Sequence, residues 1–242
     1  MSAAALMKPE PAMPADPRLI AALDVPTVAE AQALTERIGD AVSFYKVGLQ
    51  LLASDGAAFA KALRREGHGV FCDWKLHDIG ATVEKAAAAI AASDACDLLT
   101  VHGEPQVMRS AVKGRGASPM KVLAVTVLTS LSDEDLKEMG YAFTAAELVE
   151  LRVRQAIDCG CDGVISSPHE AQMARRIGGP GFLVVTPGVR PAGASLDDQA
   201  RAATPATALK AGASHLVVGR PITAAADPRA AALAIAQEMA GA

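Results

Sequence analysis

Eight short apolar segments alternate with helix-like segments along the 242 residues, and this pattern predicts an α/β fold: a single-domain (β/α)8 barrel of the TIM type. The chain length is close to the ~250 residues typical of such barrels. The strand-like segments are apolar almost throughout, as expected for parallel strands covered on both faces. No Gly-x-Gly-x-x-Gly motif follows the first strand, which disfavours an open dinucleotide-binding sheet.

The predicted elements follow one another in eight strand–helix units. The predicted strands are residues 19–24, 42–48, 70–76, 97–102, 121–128, 163–167, 182–188 and 215–220. The predicted helices are residues 26–38, 49–66, 82–93, 105–113, 145–159, 168–177, 205–211 and 228–240. An acidic insertion at 131–143 interrupts the fifth unit, and we expect a short helix there near the mouth of the barrel.

Composition narrows the class of protein. Hydrophobic residues make up 51% of the chain and aromatic residues only 3%, so we expect an aliphatic core. A net charge of −4 gives no basic surface for nucleic acid or for an anionic membrane. Residues 1–17 are rich in Ala and Pro, and we expect a flexible tail there, followed by the catalytic barrel at 18–242. This tail resembles neither a secretory signal nor a membrane span.

The four cysteines are Cys72, Cys96, Cys159 and Cys161, and none of them forms a Cys-x-x-Cys pair. We expect buried free thiols, which are typical of a reducing compartment. A cytoplasmic protein is therefore predicted.

The third strand carries the most informative charges. Side chains alternate between the two faces of a strand, so Asp73 and Lys75 share one face, and Asp78 follows where the strand gives way to a loop. Charges are rarely buried unless they are paired. An acid, a base and an acid at this spacing therefore indicate a catalytic site.

Other strands also end in polar residues, at the end of the barrel where active sites lie. These residues are Asp24, Lys46, His102, Thr129, Arg190, Gly219 and Arg220. Lys46 lies in an apolar strand and needs a carboxylate partner, because a lone buried ammonium is costly. The loops after strands seven and eight commonly bind phosphate. We expect Arg190, Gln199, Gly219 and Arg220 to do so, with Gln199 in a mobile loop that closes over the ligand.

Several of these residues have simpler structural explanations. Asp24 and Asp78 are also good caps for the helices that follow them, and Thr82 is also compatible with a first-turn surface residue. His102 is compatible with a hydrogen-bonded histidine at the end of a strand. The remaining histidines show no spacing typical of a metal site.

Motifs along nearly the whole chain after residue 17 carry a family resemblance. The segment DWKLHDIGATV at 73–83 strongly resembles the DxKxxD signature of orotidine 5′-phosphate decarboxylases. Further matches occur in the same order: ALD (22–24), YKVG (45–48), VTVLTS (125–130), GCDGVISSP (160–168), TPGVRP (186–191), DDQAR (197–201) and VVGRPIT (217–223). The last three motifs are the more specific, because sugar-phosphate decarboxylases and aldolases share DxKxxD.

The resemblance implies a role for each matching residue in converting orotidine 5′-monophosphate to UMP. Lys75 would be the proton donor within a catalytic cluster of Asp73, Lys75 and Asp78. The remaining contacts would be Asp24 and Lys46 to the ribose, Thr129 beside the pyrimidine, and Arg190, Gln199, Gly219 and Arg220 to the phosphate. It also implies that no metal or organic cofactor is needed.

The resemblance further implies a homodimer in which the partner chain supplies the residues matching Asp78 and Thr82. One local departure is Gly80–Ala81, where many members of the family have Pro-Asn. Two other functions stay open at this point. One is a metal-dependent sugar-phosphate decarboxylase or aldolase, and the other is a catalytically silent barrel that serves as a binding module.

Overall fold

The computed structural model describes residues 15–191 and 203–242. Its strands form one closed barrel in which each strand pairs in parallel with the next and β8 pairs with β1. The strands are β1 (Leu19–Ala22), β2 (Phe44–Gly48), β3 (Gly69–Leu76), β4 (Leu98–His102), β5 (Lys121–Val125), β6 (Gly163–Ile165), β7 (Leu183–Thr186) and β8 (His215–Val218). The predicted (β/α)8 barrel is confirmed.

Helices surround the barrel. Within the described ranges they are α1 (Val28–Ile38), α2 (Leu49–Leu52), α3 (Gly56–Arg65), α4 (Gly80–Ala92), α5 (Pro105–Arg115), α6 (Asp133–Glu138), α7 (Ala145–Asp158), α8 (Ala171–Gly178), α9 (Pro205–Lys210), α10 (Arg220–Thr223) and α11 (Pro228–Ala240). Local sequence explains where several of them begin. Thr27 caps α1 by accepting the Glu30 N–H, and Thr144 forms a capping box with Glu147 at the start of α7.

The observed elements differ from the predicted ones mainly at their ends. Strands β1 and β5 end at Ala22 and Val125, two and three residues earlier than predicted, because the following residues leave the ladder and line the barrel mouth. The helix predicted after strand two is divided into α2 and α3. Asp55 adopts a left-handed conformation with φ 64° between them and so interrupts the helix. Helix α8 begins at Ala171 rather than at 168.

The acidic insertion contains a short helix, as predicted. Helix α6 begins after Ser132, whose hydroxyl accepts the Asp135 N–H while the Asp135 carboxylate accepts the Ser132 N–H. Three acidic residues occupy its first turn, where the helix dipole favours negative charge.

Residues 15–17 are the described part of the predicted tail. Asp16 binds Arg18 at 2.7 Å and accepts the Leu19 N–H through its carbonyl. The proposed boundary at 17–18 stays a prediction. All four cysteines are buried free thiols, as expected. Among the described helices, none has the length and apolarity needed to cross a membrane.

The barrel interior is apolar at its base and charged one layer above. The apolar cluster inside the barrel includes Phe71, Leu98 and Leu123, and Phe44 packs against it. Side chains two residues apart on a strand point the same way, so Lys46, Asp73 and Thr100 form the next interior layer above Phe44, Phe71 and Leu98. The sheet thereby delivers charged groups to the carboxyl ends of its strands.

Candidate active site

A cavity of about 590 Å³ opens at the carboxyl ends of the strands. Its volume is in the range of small-molecule binding sites. Ala22, Phe71, Val125, Ile165 and Val217 provide an apolar lining. The predicted site residues that line the cavity are Asp24, Lys46, Asp73, Lys75, Thr129, Arg190, Gly219 and Arg220.

Charges alternate in sign along one wall of the cavity. We call this the charged wall, and it consists of Asp24, Lys46, Asp73 and Lys75. The Lys46 Nζ lies 2.8 Å from the Asp24 Oδ1 and 3.5 Å from the Asp73 Oδ2. The Lys75 Nζ lies 2.8 Å from the Asp73 Oδ1. Lys46 is only 7% exposed, and a buried ammonium needs carboxylate partners. Asp24 and Asp73 are those partners. Asp24 does not cap α1, because Thr27 does.

Asp73 is the shared partner of the two lysines. Burial alone raises the pKa of Asp73, but the ammonium groups of Lys46 and Lys75, with hydrogen bonds from Lys75 and Thr100, outweigh burial and lower it. A negative charge is thus stabilised between two positive ones inside the barrel. Such an arrangement fixes the position of both ammonium groups relative to the cavity.

The backbone of β3 is distorted where it carries Lys75. Lys75 has a φ of 47°, in the left-handed region, and the pairing of β3 with β4 shifts in register between Cys72 and Leu76. The Thr100 hydroxyl on β4 accepts the Lys75 N–H at 3.0 Å and donates to the Asp73 Oδ1 at 2.9 Å. Strained backbone of this kind is concentrated at functional sites.

The sequence prediction missed Thr100 and Gly48. A polar residue inside the apolar strand LLTVH was the available signal for Thr100, and it is the signal that had identified Lys46. A Cβ on Gly48 would lie 3.0 Å from both the Asp24 Oδ1 and the Lys46 Nζ. Gly48 therefore leaves room for this ion pair, which the sequence does not reveal.

The opposite wall is positively charged. Arg190 is 8% exposed, and its Nε has no hydrogen-bond partner among the described residues. Gly219 and Arg220 reach the same cavity from the end of β8. The buried Nε of Arg190 is therefore a donor suited to an anionic ligand. Gln199, predicted to bind the same anion, lies outside the described residues.

Asp78 and Thr82 lie away from this cavity on the exposed surface of the chain. The Asp78 Oδ1 accepts the N–H of Ile79 at 2.6 Å, and α4 has no side-chain cap at Ile79. The capping alternative for Asp78 is therefore wrong. Thr82 is exposed in the first turn of α4. Ile79 between them is 69% exposed, which is unusual for a large apolar side chain.

Gly80, the departure from the family pattern, is the first residue of α4. A Cβ at this position would lie 2.7 Å from the Ser110 Oγ on α5. Glycine therefore allows the first turn of α4 to pack closely on α5.

His102 lies at the end of β4 beside the charged wall. Its ring centroid is 4.7 Å from that of His77, and the His77 Nε2 is 3.8 Å from the Glu104 carboxylate. Burial lowers the pKa of His102. His102 packs on its neighbour and does not line the cavity, and its ring makes no hydrogen bond to the described residues, so its role stays a prediction.

Comparison with known proteins places this geometry in a family. The family model described as "Orotidine 5′-phosphate decarboxylase / HUMPS family" matches residues 17–235. This chain belongs to that family. A protein named "Orotidine 5′-phosphate decarboxylase" from Caulobacter vibrioides (strain NA1000 / CB15N) is 67% identical over 233 residues, covering 95% of this chain and 100% of the relative.

Two further proteins support the same family membership. An "Orotidine 5′-phosphate decarboxylase" from Rhodopseudomonas palustris (strain BisA53) is 53% identical over 225 residues, covering 93% of this chain and 95% of the relative. The crystal structure of Orotidine 5′-phosphate decarboxylase from Lactobacillus acidophilus superposes with a TM-score of 0.81 at 38% identity, covering 93% of this chain and 99% of that one. Family membership therefore rests on sequence and fold together.

Asp73→Asn tests the contribution of the central carboxylate to stability. Folding lowers the pKa of Asp73, so its carboxylate contributes to the free energy of unfolding. This contribution is complete above the unfolded-state pKa of about 4 and is lost as the pH falls through the pKa of the folded state. We expect the free energy of unfolding of the variant to lie roughly 2–4 kcal/mol below wild type at about pH 7. That gap should shrink below about pH 4.

Urea denaturation over this pH range measures the gap. Asp158→Asn, which alters an exposed carboxylate at the end of α7, is the control and should lie close to wild type. An Asp73→Asn gap that stays constant with pH would contradict the assignment of the effect to this carboxylate.

Proposed function

We propose that this chain decarboxylates orotidine 5′-monophosphate to UMP and CO2, the last step of de novo pyrimidine nucleotide synthesis. The relatives that bear the decarboxylase name support this proposal. The observation that carries it is the position of Lys75, which pairs with the largely buried carboxylate of Asp73 at one wall of a cavity that Arg190 also lines. One ammonium thus faces the reacting part of a nucleotide while cations across the cavity bind its phosphate.

Electrostatic stabilisation is the main requirement of this reaction. When the bond between C6 and the carboxylate breaks, the electron pair stays on C6 and CO2 leaves. That sp2 carbanion has little delocalisation, so a fixed positive charge beside C6 lowers the barrier. In our proposal the Lys75 ammonium stabilises the developing charge and then transfers a proton to C6. Water returns the proton to Lys75 after UMP has formed.

Repulsion between Asp73 and the substrate carboxylate is a smaller contribution. Two unit charges about 4 Å apart interact by roughly 4 kcal/mol at an effective dielectric constant of 20. Enzymes generally lower barriers by about 8–23 kcal/mol. Stabilisation of the transition state by Lys75 is therefore the larger effect in this account.

The remaining cavity residues bind the parts of the nucleotide that do not react. We assign Asp24 and Lys46 to the ribose hydroxyls and Thr129 to the pyrimidine. Arg190, Gln199, Gly219 and Arg220 are assigned to the phosphate. Binding energy from this remote group supports catalysis when it holds the pyrimidine against Lys75.

A metal-dependent sugar-phosphate reaction is the competing function, since the family description covers a second group. The carboxylates of Asp24 and Asp73 both contact lysine ammonium groups, at 2.8–3.5 Å. These ion pairs favour an organic anion over a divalent cation at the charged wall, because the cation would have to displace the ammonium groups. The intact pairing of Lys75 also disfavours a silent binding module.

We further propose that the active enzyme is a homodimer in which each chain supplies Asp78 and Thr82 to its partner's site. Both residues are exposed and outside their own chain's cavity, and the exposed Ile79 between them offers apolar area for an interface. A cytoplasmic location is also proposed, supported by the four free thiols.

Lys75→Ala tests the catalytic role. We expect kcat for orotidine 5′-monophosphate to fall at least ~1,000-fold, because the charge that stabilises the carbanion is removed. Affinity for UMP should change less than about tenfold, since Lys75 acts in the transition state. An absorbance assay measures turnover, and isothermal titration measures UMP binding.

Lys61→Ala, an exposed lysine on α3, is the matched control and should keep wild-type turnover. The wild-type assay is repeated in excess EDTA. Activity that persists agrees with the proposed reaction, whereas activity that disappears with the chelator favours the metal-dependent alternative. Near-normal turnover by Lys75→Ala would overturn its catalytic role.

Arg220→Ala tests the phosphate assignment. Loss of a charged donor should weaken UMP binding about 10- to 100-fold and leave the much weaker binding of uridine unchanged. Arg229→Ala, which alters a partly exposed arginine on α11 that pairs with Asp40, should affect neither ligand. Equal losses for UMP and uridine would show that Arg220 does not bind the phosphate.

Mixing inactive variants tests the shared site. In a heterodimer of Lys75→Ala and Asp78→Ala chains, one of the two sites has both an intact Lys75 and an intact Asp78 from the partner. A random mixture should therefore recover about a quarter of wild-type activity. Mixing Lys75→Ala with Asp73→Ala should recover none, because one chain supplies both residues. No recovery in the first mixture, with exchange of tagged chains demonstrated, would refute the shared site.

A further inference from the structure

The Thr100 hydroxyl joins the two charged residues of β3 at the one point where that strand is distorted. Thr100 is completely buried on β4 and does not line the cavity. Its Oγ1 lies 3.0 Å from the backbone nitrogen of Lys75 and 2.9 Å from the Asp73 Oδ1. It therefore contacts the residues proposed to carry the chemistry without facing the substrate.

The chemistry of the three groups fixes the direction of both hydrogen bonds. A backbone N–H can only donate, so the hydroxyl accepts from Lys75. Its own proton then goes to the carboxylate of Asp73, which accepts when it is ionised. One hydroxyl is thus satisfied on both sides, and neither bond can be lost without leaving a buried polar group unpaired.

The backbone of Lys75 needs such a partner. Its φ of 47° is rarely adopted by residues other than glycine, and the bulge removes regular pairing with β4 at this point. The Thr100 hydroxyl supplies the acceptor for the Lys75 N–H where the ladder does not. The Lys75 Nζ then closes the cluster on the Asp73 Oδ1 at 2.8 Å, on the same oxygen that accepts from Thr100.

We propose that Thr100 is a positioning residue, whose hydroxyl holds the left-handed backbone of Lys75 and the carboxylate of Asp73 so that the Lys75 ammonium faces the cavity. This inference rests on the proposed function for its kinetic consequences, but not for its structural ones. A positioning role requires loss of turnover without a matching loss of ligand affinity, because Thr100 itself contacts no ligand.

Thr126 provides a matched control. It is also a completely buried threonine, just after β5, and its hydroxyl donates one hydrogen bond to the Ile165 carbonyl at 2.8 Å. It makes no hydrogen bond to Lys75 or Asp73 and does not line the cavity. Thr100→Val and Thr126→Val therefore remove the same hydroxyl from equally buried threonines, and only the first removes a hydrogen bond to Lys75 and Asp73.

The test compares Thr100→Val, Thr100→Ser and Thr126→Val in the full chain. We expect Thr100→Val to lower kcat about 10- to 100-fold with KM and the UMP dissociation constant nearly unchanged. Thr100→Ser, which keeps the hydroxyl, should recover kcat to within about threefold of wild type, and Thr126→Val should retain wild-type kcat. Thr100→Ala removes the same hydroxyl and replaces the valine variant if that variant is insoluble.

A crystal structure of Thr100→Val provides the second readout, and it does not depend on activity. We expect the Lys75 φ to leave the left-handed region and the Nζ to move from Asp73. An unchanged Lys75, or equal losses of kcat in Thr100→Val and Thr126→Val, would overturn the inference. Wild type that does not decarboxylate orotidine 5′-monophosphate would instead refute the proposed function, and the crystal structure would still decide the role of Thr100.

Discussion

The carboxylate of Asp73 is the group on which the cavity depends, because it lies between two ammonium groups inside an apolar barrel. Without it, Lys46 would keep only the more exposed Asp24 as a partner, and Lys75 would lose the contact that fixes its Nζ. Uncompensated buried charge is strongly destabilising. The arrangement that we propose for catalysis is thus also expected to stabilise the upper layer of the barrel.

The barrel explains why these groups meet. Parallel strands present alternate side chains to the interior, so Phe44 and Phe71 fill the base while Lys46 and Asp73 lie one layer higher. Pairing of β2 with β3 places Asp73 beside Gly48, where the absence of a side chain leaves space for the ion pair. Rigid strands therefore hold the charges with little conformational freedom left to lose when a ligand binds.

Strand order and the charged residues of the cavity were predictable from sequence, because apolar runs alternate regularly with helices and charged residues lie in or just after those runs. The role of Thr100 was not predictable, since it depends on the positive φ of Lys75 and on a register shift between neighbouring strands. Similarly, the division between α2 and α3 depends on one residue, Asp55, in a left-handed conformation. Hydrophobic periodicity predicts where strands and helices lie. It does not predict single residues with an unusual backbone conformation, such as Asp55 and Lys75.

A crystal structure of the enzyme with UMP tests the central claim most directly. We expect the Lys75 Nζ to lie within about 3.5 Å of C6, close enough to deliver a proton there, with Asp73 still paired to it. We also expect the phosphate between Arg190 and Arg220. A pyrimidine bound away from β3, or a phosphate held by Lys46 and Lys75, would contradict this claim.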